Sequence, residues 1–278
     1  MRIALIFAAA LATSTQAQTP KTDWVASVIL PQTKAVDAKR LAAVLRDTVT
    51  KDERFDGFES DKEIILLRLA GGTALVSLMN GPIPKGELQE VCRFAWYWPD
   101  ACKAVKDHRA HFLVVLMGTN LDRLGSAILQ TKILAALIRE SDAVAAYWGV
   151  NLQSRDTFLK DSSGISRESV PVTLWVNYRV SKSQSGRFSI STRGLMDFGL
   201  MEIEAKDAPV PALQLFDLTV GTSSYLITKG AVIRPGPLKV TPAIMQRYAH
   251  VFSTKERADD FTDDSKSCRS KSGIGQNL

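Results

Sequence analysis

The chain has 278 residues, 45% of them apolar, and carries 35 Lys and Arg against 29 Asp and Glu, a formal charge of +6. That length and apolar content suit one sizeable packed domain or two small ones, and exclude a disordered or fibrous chain. The cations are scattered (Lys39-Arg40, Lys103, Lys106, Arg187, Arg193 and a run over 266–271) and no basic stripe interleaves with aromatics, which excludes a nucleic-acid partner.

Residues 1–17 read as a secretory signal. Arg2 supplies the positive start, residues 3–11 the apolar core, and Thr15-Gln16-Ala17 a small-residue cleavage site. The other reading is an uncleaved anchor, but the apolar core is about ten residues where a membrane span needs roughly 20. The most apolar later stretch, 124–138, is interrupted by Gln130 and Lys132, so no span is expected after cleavage. Cleavage removes the single cation Arg2 and lowers the formal charge from +6 to +5. The mature chain is expected to be periplasmic or secreted, in a bacterium. Residues 18–250 are expected to form one domain, and 251–278 a charged, Ser-rich tail too poor in apolar residues to order itself.

The mature chain opens on a β-prone run over 24–30, the expected first strand. Asp37 is placed to cap a helix in which Leu41, Val44 and Leu45 share a face, ending near Asp47. Residues 63–69 and 73–79 read as strands joined by Gly71-Gly72, a tight-hairpin signal.

The stretch 82–117 is the densest in aromatics. It holds two of the three cysteines and two of the three histidines. Pro82 and Pro84 end the preceding element. A helix starting near Lys85 puts Leu88, Val91, Cys92 and Ala95 on one side. Pro99 breaks it and drives Trp98 to extended backbone. Pro99 and Asp100 suit the start of a second short helix, with Val105 closing its apolar side. Residues 112–117 form a continuous apolar run, as in a strand covered on both faces.

Cys92 and Cys102 flank the Trp-Tyr-Trp-Pro break. If the helices fold back, the two Cα atoms can reach the roughly 4.4–6.8 Å that a disulfide needs. Such a bridge contributes ~2–3 kcal/mol. The alternative is a pair of buried free thiols, toward which the general burial of free cysteine tips the reading. Cys268 stands in the tail without a partner in view.

Asn120 is placed to cap a long, heavily buried helix over 121–140, with its stripe at Leu124, Ile128, Ala135 and Ile138. A strand over 142–148, a short helix over 155–160 and a polar loop over 162–169 follow. Alternation then predicts strands over 174–180, 188–193 and 201–204, each with one wet face. A helix over 211–228 ends at Gly230, and a last weak helix covers 243–251. The fold class is α+β, with a mixed, largely antiparallel sheet packed by helices. Its first half reads as a ferredoxin-like βαββαβ unit and its second as a meander.

The motifs PIP (82–84), AWYWPDA (95–101), HRAH (108–111), AYWG (146–149), LWVNYRV (174–180) and GLMEIE (199–204) resemble, in order and rough spacing from Trp24 to Ile233, the domain of unknown function family 4261. The resemblance implies an α+β fold and carries no established activity.

The candidate chemistry is sparse. His108 and His111 are the only close histidine pair. A strand would split them between faces, and a zinc site needs a third ligand from Glu87, Asp100 or Asp107. Satisfied structural histidines are the simpler reading, and no metal is expected. No nucleophile elbow or phosphate-cradling motif occurs, so no cofactor is expected. Cys92 with His108 is the sole Cys–His combination to weigh as nucleophile and base. Glu202 and Glu204 fall on one strand face, read as a wet surface rather than an acid pair. Trp96, Tyr97 and Trp98 are the best binding candidates, since aromatic rings give large contact area at low entropic cost. The competing reading puts two of the three in the core. Two function classes remain. One is a binding module of the cell envelope, for an unknown protein or small envelope ligand, using Trp96, Tyr97, Trp98, His108 and His111. The other is a hydrolase, with or without a metal, centred on His108 and His111.

Overall fold

The computed structural model of the chain describes residues 23–230. The expected signal at 1–17, the weak helix at 243–251, the tail and Cys268 lie outside the described residues.

The described residues open with β1 (Trp24–Leu30) and α1 (Ala38–Thr48). Asp37 starts that helix as expected, its carboxylate accepting from the Lys39 and Arg40 amides at 2.8 and 3.2 Å. β2 (Phe55–Ser60), β3 (Ile64–Leu69) and β4 (Gly72–Met79) follow. β2 escaped the sequence reading because Phe-Asp-Gly-Phe-Glu-Ser has little apolar alternation. The β3–β4 turn is Ala70-Gly71, one residue earlier than the expected glycine pair. Both turn residues have positive φ, 50° and 73°, which matches the twist of a two-residue hairpin. A side chain at Gly71 would collide with that of Asn120.

Next come α2 (Lys85–Phe94), α3 (Ala101–Val105), β5 (Ala110–Met117) and α4 (Arg123–Arg139). Asp122, not Asn120, caps α4: its carboxylate accepts from the Gly125 amide at 2.8 Å and pairs with both terminal nitrogens of Arg167. Every residue from Leu124 to Ile138 is buried, as the sequence implied. β6 (Ala145–Trp148), β7 (Asn151–Ser154), α5 (Arg155–Asp161) and α6 (Val172–Trp175) lead to β8 (Asn177–Lys182), β9 (Phe188–Arg193), β10 (Glu204–Ala208) and α7 (Ala212–Lys229).

Two parts of the second half differ from expectation. Residues 172–175 form a helical turn rather than the start of a strand, fixed by a hydrogen bond from the Trp175 indole to Thr131 Oγ1 at 2.8 Å. Residues 201–203 are not strand, and Glu202 is not a solvated acid. Its carboxylate accepts from Thr192 Oγ1 at 2.7 Å and from the Gly194 amide at 2.8 Å, pinning a sharp turn.

The architecture is α+β. A seven-stranded sheet in the order β2-β3-β4-β5-β1-β6-β7 is antiparallel at every pairing, and a second sheet has the order β10-β9-β8. The strand order departs from a ferredoxin-like unit, in which the opening strand lies between the third and fourth. Here β4 pairs directly with β5, from Thr73 opposite Met117 to Met79 opposite His111, and β1 lies beyond β5. The reason is local. The proline break folds α3 back against α2, so the chain returns to the end of the sheet it left and needs no crossover.

The main core fills the space between one sheet face, α1, α4 and the small sheet with α7. A second cluster lies on the opposite face, where α2 and α3 cover Ile29, Ala145 and Leu152. The rest of that face is open. Val25, Ile64, Met79 and Met117 lie there, 36–49% exposed. β5 is therefore not covered on both faces: its residues alternate between buried and half-buried. Among the described residues, no helix is long and apolar enough to cross a membrane.

Candidate functional site

The site grows out of the break between two short helices. Pro84 stands at the N-terminal boundary of α2, and Leu88, Val91 and Cys92 bury its inner side. The chain then turns through residues 95–100, closed by backbone bonds from Trp98 to Ala95 at 2.8 Å and from Ala101 to Trp98 at 2.9 Å. α3 buries Ala101 and Val105. Cys92 and Cys102 are joined in a disulfide, with Cα atoms 5.0 Å apart. The free-thiol reading is thus replaced. Fold-back brings the two helices close enough to bridge, with Cys92 buried and Cys102 exposed.

The three aromatics of the break are pinned in different directions. The Trp96 indole donates to the Tyr178 carbonyl at 2.8 Å, and its ring meets Phe216 edge-on at 5.1 Å. The Tyr97 hydroxyl lies 2.6 Å from Asn151 Oδ1 and 2.8 Å from the Leu152 carbonyl. Burial pushes the Tyr97 phenol well above its ordinary range. Trp98 packs with Tyr97 against the second cluster. All three rings are half-buried. Trp96 and Tyr97 line a small cavity of about 100 Å³ together with Tyr178 and Phe216. Trp98 is not part of it.

His108 and His111 are separated by role. His108 is buried; its Nε2 accepts from the Ile83 amide at 2.8 Å and its Nδ1 donates to the Val105 carbonyl at 2.6 Å. These partners assign the hydrogen to Nδ1 and leave neither nitrogen free. His111 is the second residue of β5, opposite Met79 and Ile29, and its Nδ1 donates to the Gly81 carbonyl at 3.0 Å. Burial lowers its pKa, against smaller upward pulls from that carbonyl and from Glu87. Among the described residues, no group of three or more His, Cys, Asp and Glu could hold a metal ion.

A larger cleft of about 520 Å³ opens between α2 and α3. Leu88, Val105 and the Cys92–Cys102 disulfide form its apolar part, and His108 closes one end. Lys85 and Arg93 of α2 and Lys106 at the end of α3 supply its charge, with Asp107 the single acid. Lys106 reaches Asp107 only across 3.6 Å of exposed surface. The acids of α2 act elsewhere: Glu90 pairs with Arg179 at 3.6 Å, and Glu87 lies near enough to Tyr147 and His111 to perturb both. Composition alone leaves these cations dispersed. Their convergence depends on the fold-back, although Lys85, Gln89 and Arg93 already stand at four-residue spacing, on one side of a helix.

No family model, no curated protein and no solved structure matches the chain. The resemblance to family 4261 rests on the sequence motifs alone.

Proposed function

We propose that the chain is an exported, non-enzymatic binding module of the bacterial cell envelope that takes a small ligand in the cleft between α2 and α3. One observation carries the reading: the cleft has the volume of a small-molecule site, and its only histidine spends both ring nitrogens on backbone groups. With both nitrogens so engaged, that histidine is not poised to take or give a proton at a substrate. The disulfide that forms part of the wall suits an oxidising compartment, in line with the secretory pattern at 1–17. The resemblance to family 4261 is compatible and adds no chemistry.

The hydrolase reading needs both imidazoles in one cleft with a carboxylate in reach. His108 lines the cleft with no free nitrogen, and His111 is not among its lining residues. The test is an amide chemical-shift titration of the mature protein with a panel of anionic, cationic and neutral small molecules, run beside turnover assays on ester and phosphomonoester substrates. Binding without turnover is expected. Turnover that disappears in His111→Ala would contradict the proposal.

A further inference from the structure

We infer that the ligand of this cleft is a small amphiphilic anion, a carboxylate or phosphate head on a short apolar body. The inference rests on the binding reading above and goes on to assign the ligand's chemistry. Lys85 and Arg93 have no ion-pair partner among the described residues, and Lys106 has only its exposed sequence neighbour. Three cations therefore face one acid across a single opening, while the acids of α2 point to Arg179 and the β6 flank. Such an opening concentrates anions. Arg93 Nε donates to the Gln89 carbonyl at 3.2 Å, and its two terminal nitrogens can meet two oxygens of a carboxylate or phosphate at once; the lysines act as point charges beside it.

Behind the charged rim the surface changes character. Leu88 and Val105 are buried core residues that still line the cleft, and the disulfide lies between them. A bare inorganic anion would leave this apolar part wet, whereas an alkyl or aryl body would cover it. A neutral sugar is a poor match, because sugar sites present aromatic platforms. No Trp, Tyr or Phe is among the cleft's lining residues, and Trp96 and Tyr97 line the other cavity.

The experiment is a calorimetric or fluorescence titration of the mature, oxidised protein with decyl phosphate, decanoate, decanol and inorganic phosphate. Sedimentation with anionic phosphatidylglycerol vesicles forms a separate arm. Decyl phosphate and decanoate are expected to saturate one site, with decanol and inorganic phosphate at least roughly tenfold weaker, the scale of one charge-assisted hydrogen bond. The double variant Lys85→Gln, Arg93→Gln alters only exposed helix positions. It is expected to keep the wild-type melting temperature and the weak decanol binding, while losing the preference for the two anions. Sedimentation with vesicles would place the anionic head in a lipid; binding of free amphiphile alone would place it in solution. Either supports the inference. Equal affinity for decanol and decyl phosphate would leave a binding module and overturn the anionic class. Unchanged anion affinity in the double variant would also overturn it, as would no binding of any probe.

Discussion

At the scale of single residues, the main core contains one ion pair that the apolar stripe of α4 concealed. Lys132 Nζ lies 2.6 Å from Glu53 Oε2, and both side chains are more than nine-tenths buried. The same Glu53 oxygen accepts from the Thr50 amide at 2.8 Å. Removing one partner strands a buried charge, which costs about 3–5 kcal/mol. Lys132→Met should therefore lower the melting temperature by on the order of 10 °C. Adding Glu53→Leu should recover most of that loss, because two apolar groups replace a desolvated pair. A thermal melt of the two variants checks this; a double variant as unstable as the single one would contradict it. His111 makes a second prediction at this scale. Its folded-state pKa is lowered by burial, so between that value and the ordinary 6.5 the unfolded chain binds more protons than the folded one. The stabilisation from neutral His111 is full above about pH 6.5 and is lost as the pH falls from there through the lower folded-state pKa. The melting temperature should fall from pH 7.5 to pH 5.5, and fall less in His111→Gln. An equal fall in both would assign the pH dependence to other groups.

At the scale of elements, the helical pair α2–α3 decides how the chain runs. Pro99 and the turn before it reverse the chain, the disulfide ties the two helices, and Trp96 and Tyr97 anchor the turn to β8 and β7. Closing a loop of this length contributes ~2–3 kcal/mol. A phosphine reductant should lower the melting temperature by several degrees. The Cys92→Ala, Cys102→Ala variant should melt at the reduced value and ignore the reductant. A melt that does not respond to reduction in the wild type would show that packing alone holds the pair. These elements were legible in the sequence for plain reasons: Leu88, Val91 and Cys92 keep helical spacing, and proline marks the break. β1, α1 and the β3–β4 hairpin were legible likewise. β2 was not, since an edge strand of Phe-Asp-Gly-Phe-Glu-Ser gives no alternating signal. Nor was the turn at 172–175, because the Trp175 indole that fixes it donates to Thr131, over forty positions away.

At the scale of the whole molecule, the strand order and the cleft share one cause. A helical pair that folds back leaves β4 and β5 as antiparallel neighbours, where a single crossing helix would have brought β5 back parallel to β4. The same fold-back sets Lys85 and Arg93 opposite Lys106 around an apolar floor. The stretch 82–117 could be picked out from sequence by its aromatics, cysteines and histidines. Trp96 and Tyr97 are anchors beside a small cavity, and the side chains that carry the proposed ligand site are cations that composition alone leaves scattered. Pairwise sequence spacing holds no information on which side of a reversal two residues fall. The proposed ligand site lies between α2 and α3. The amide chemical-shift titration tests it most directly. The account predicts that ligand-induced shifts concentrate at residues 85–93 and 102–108, with no product formed. Shifts centred on another part of the surface, or substrate consumed in the tube, would contradict it.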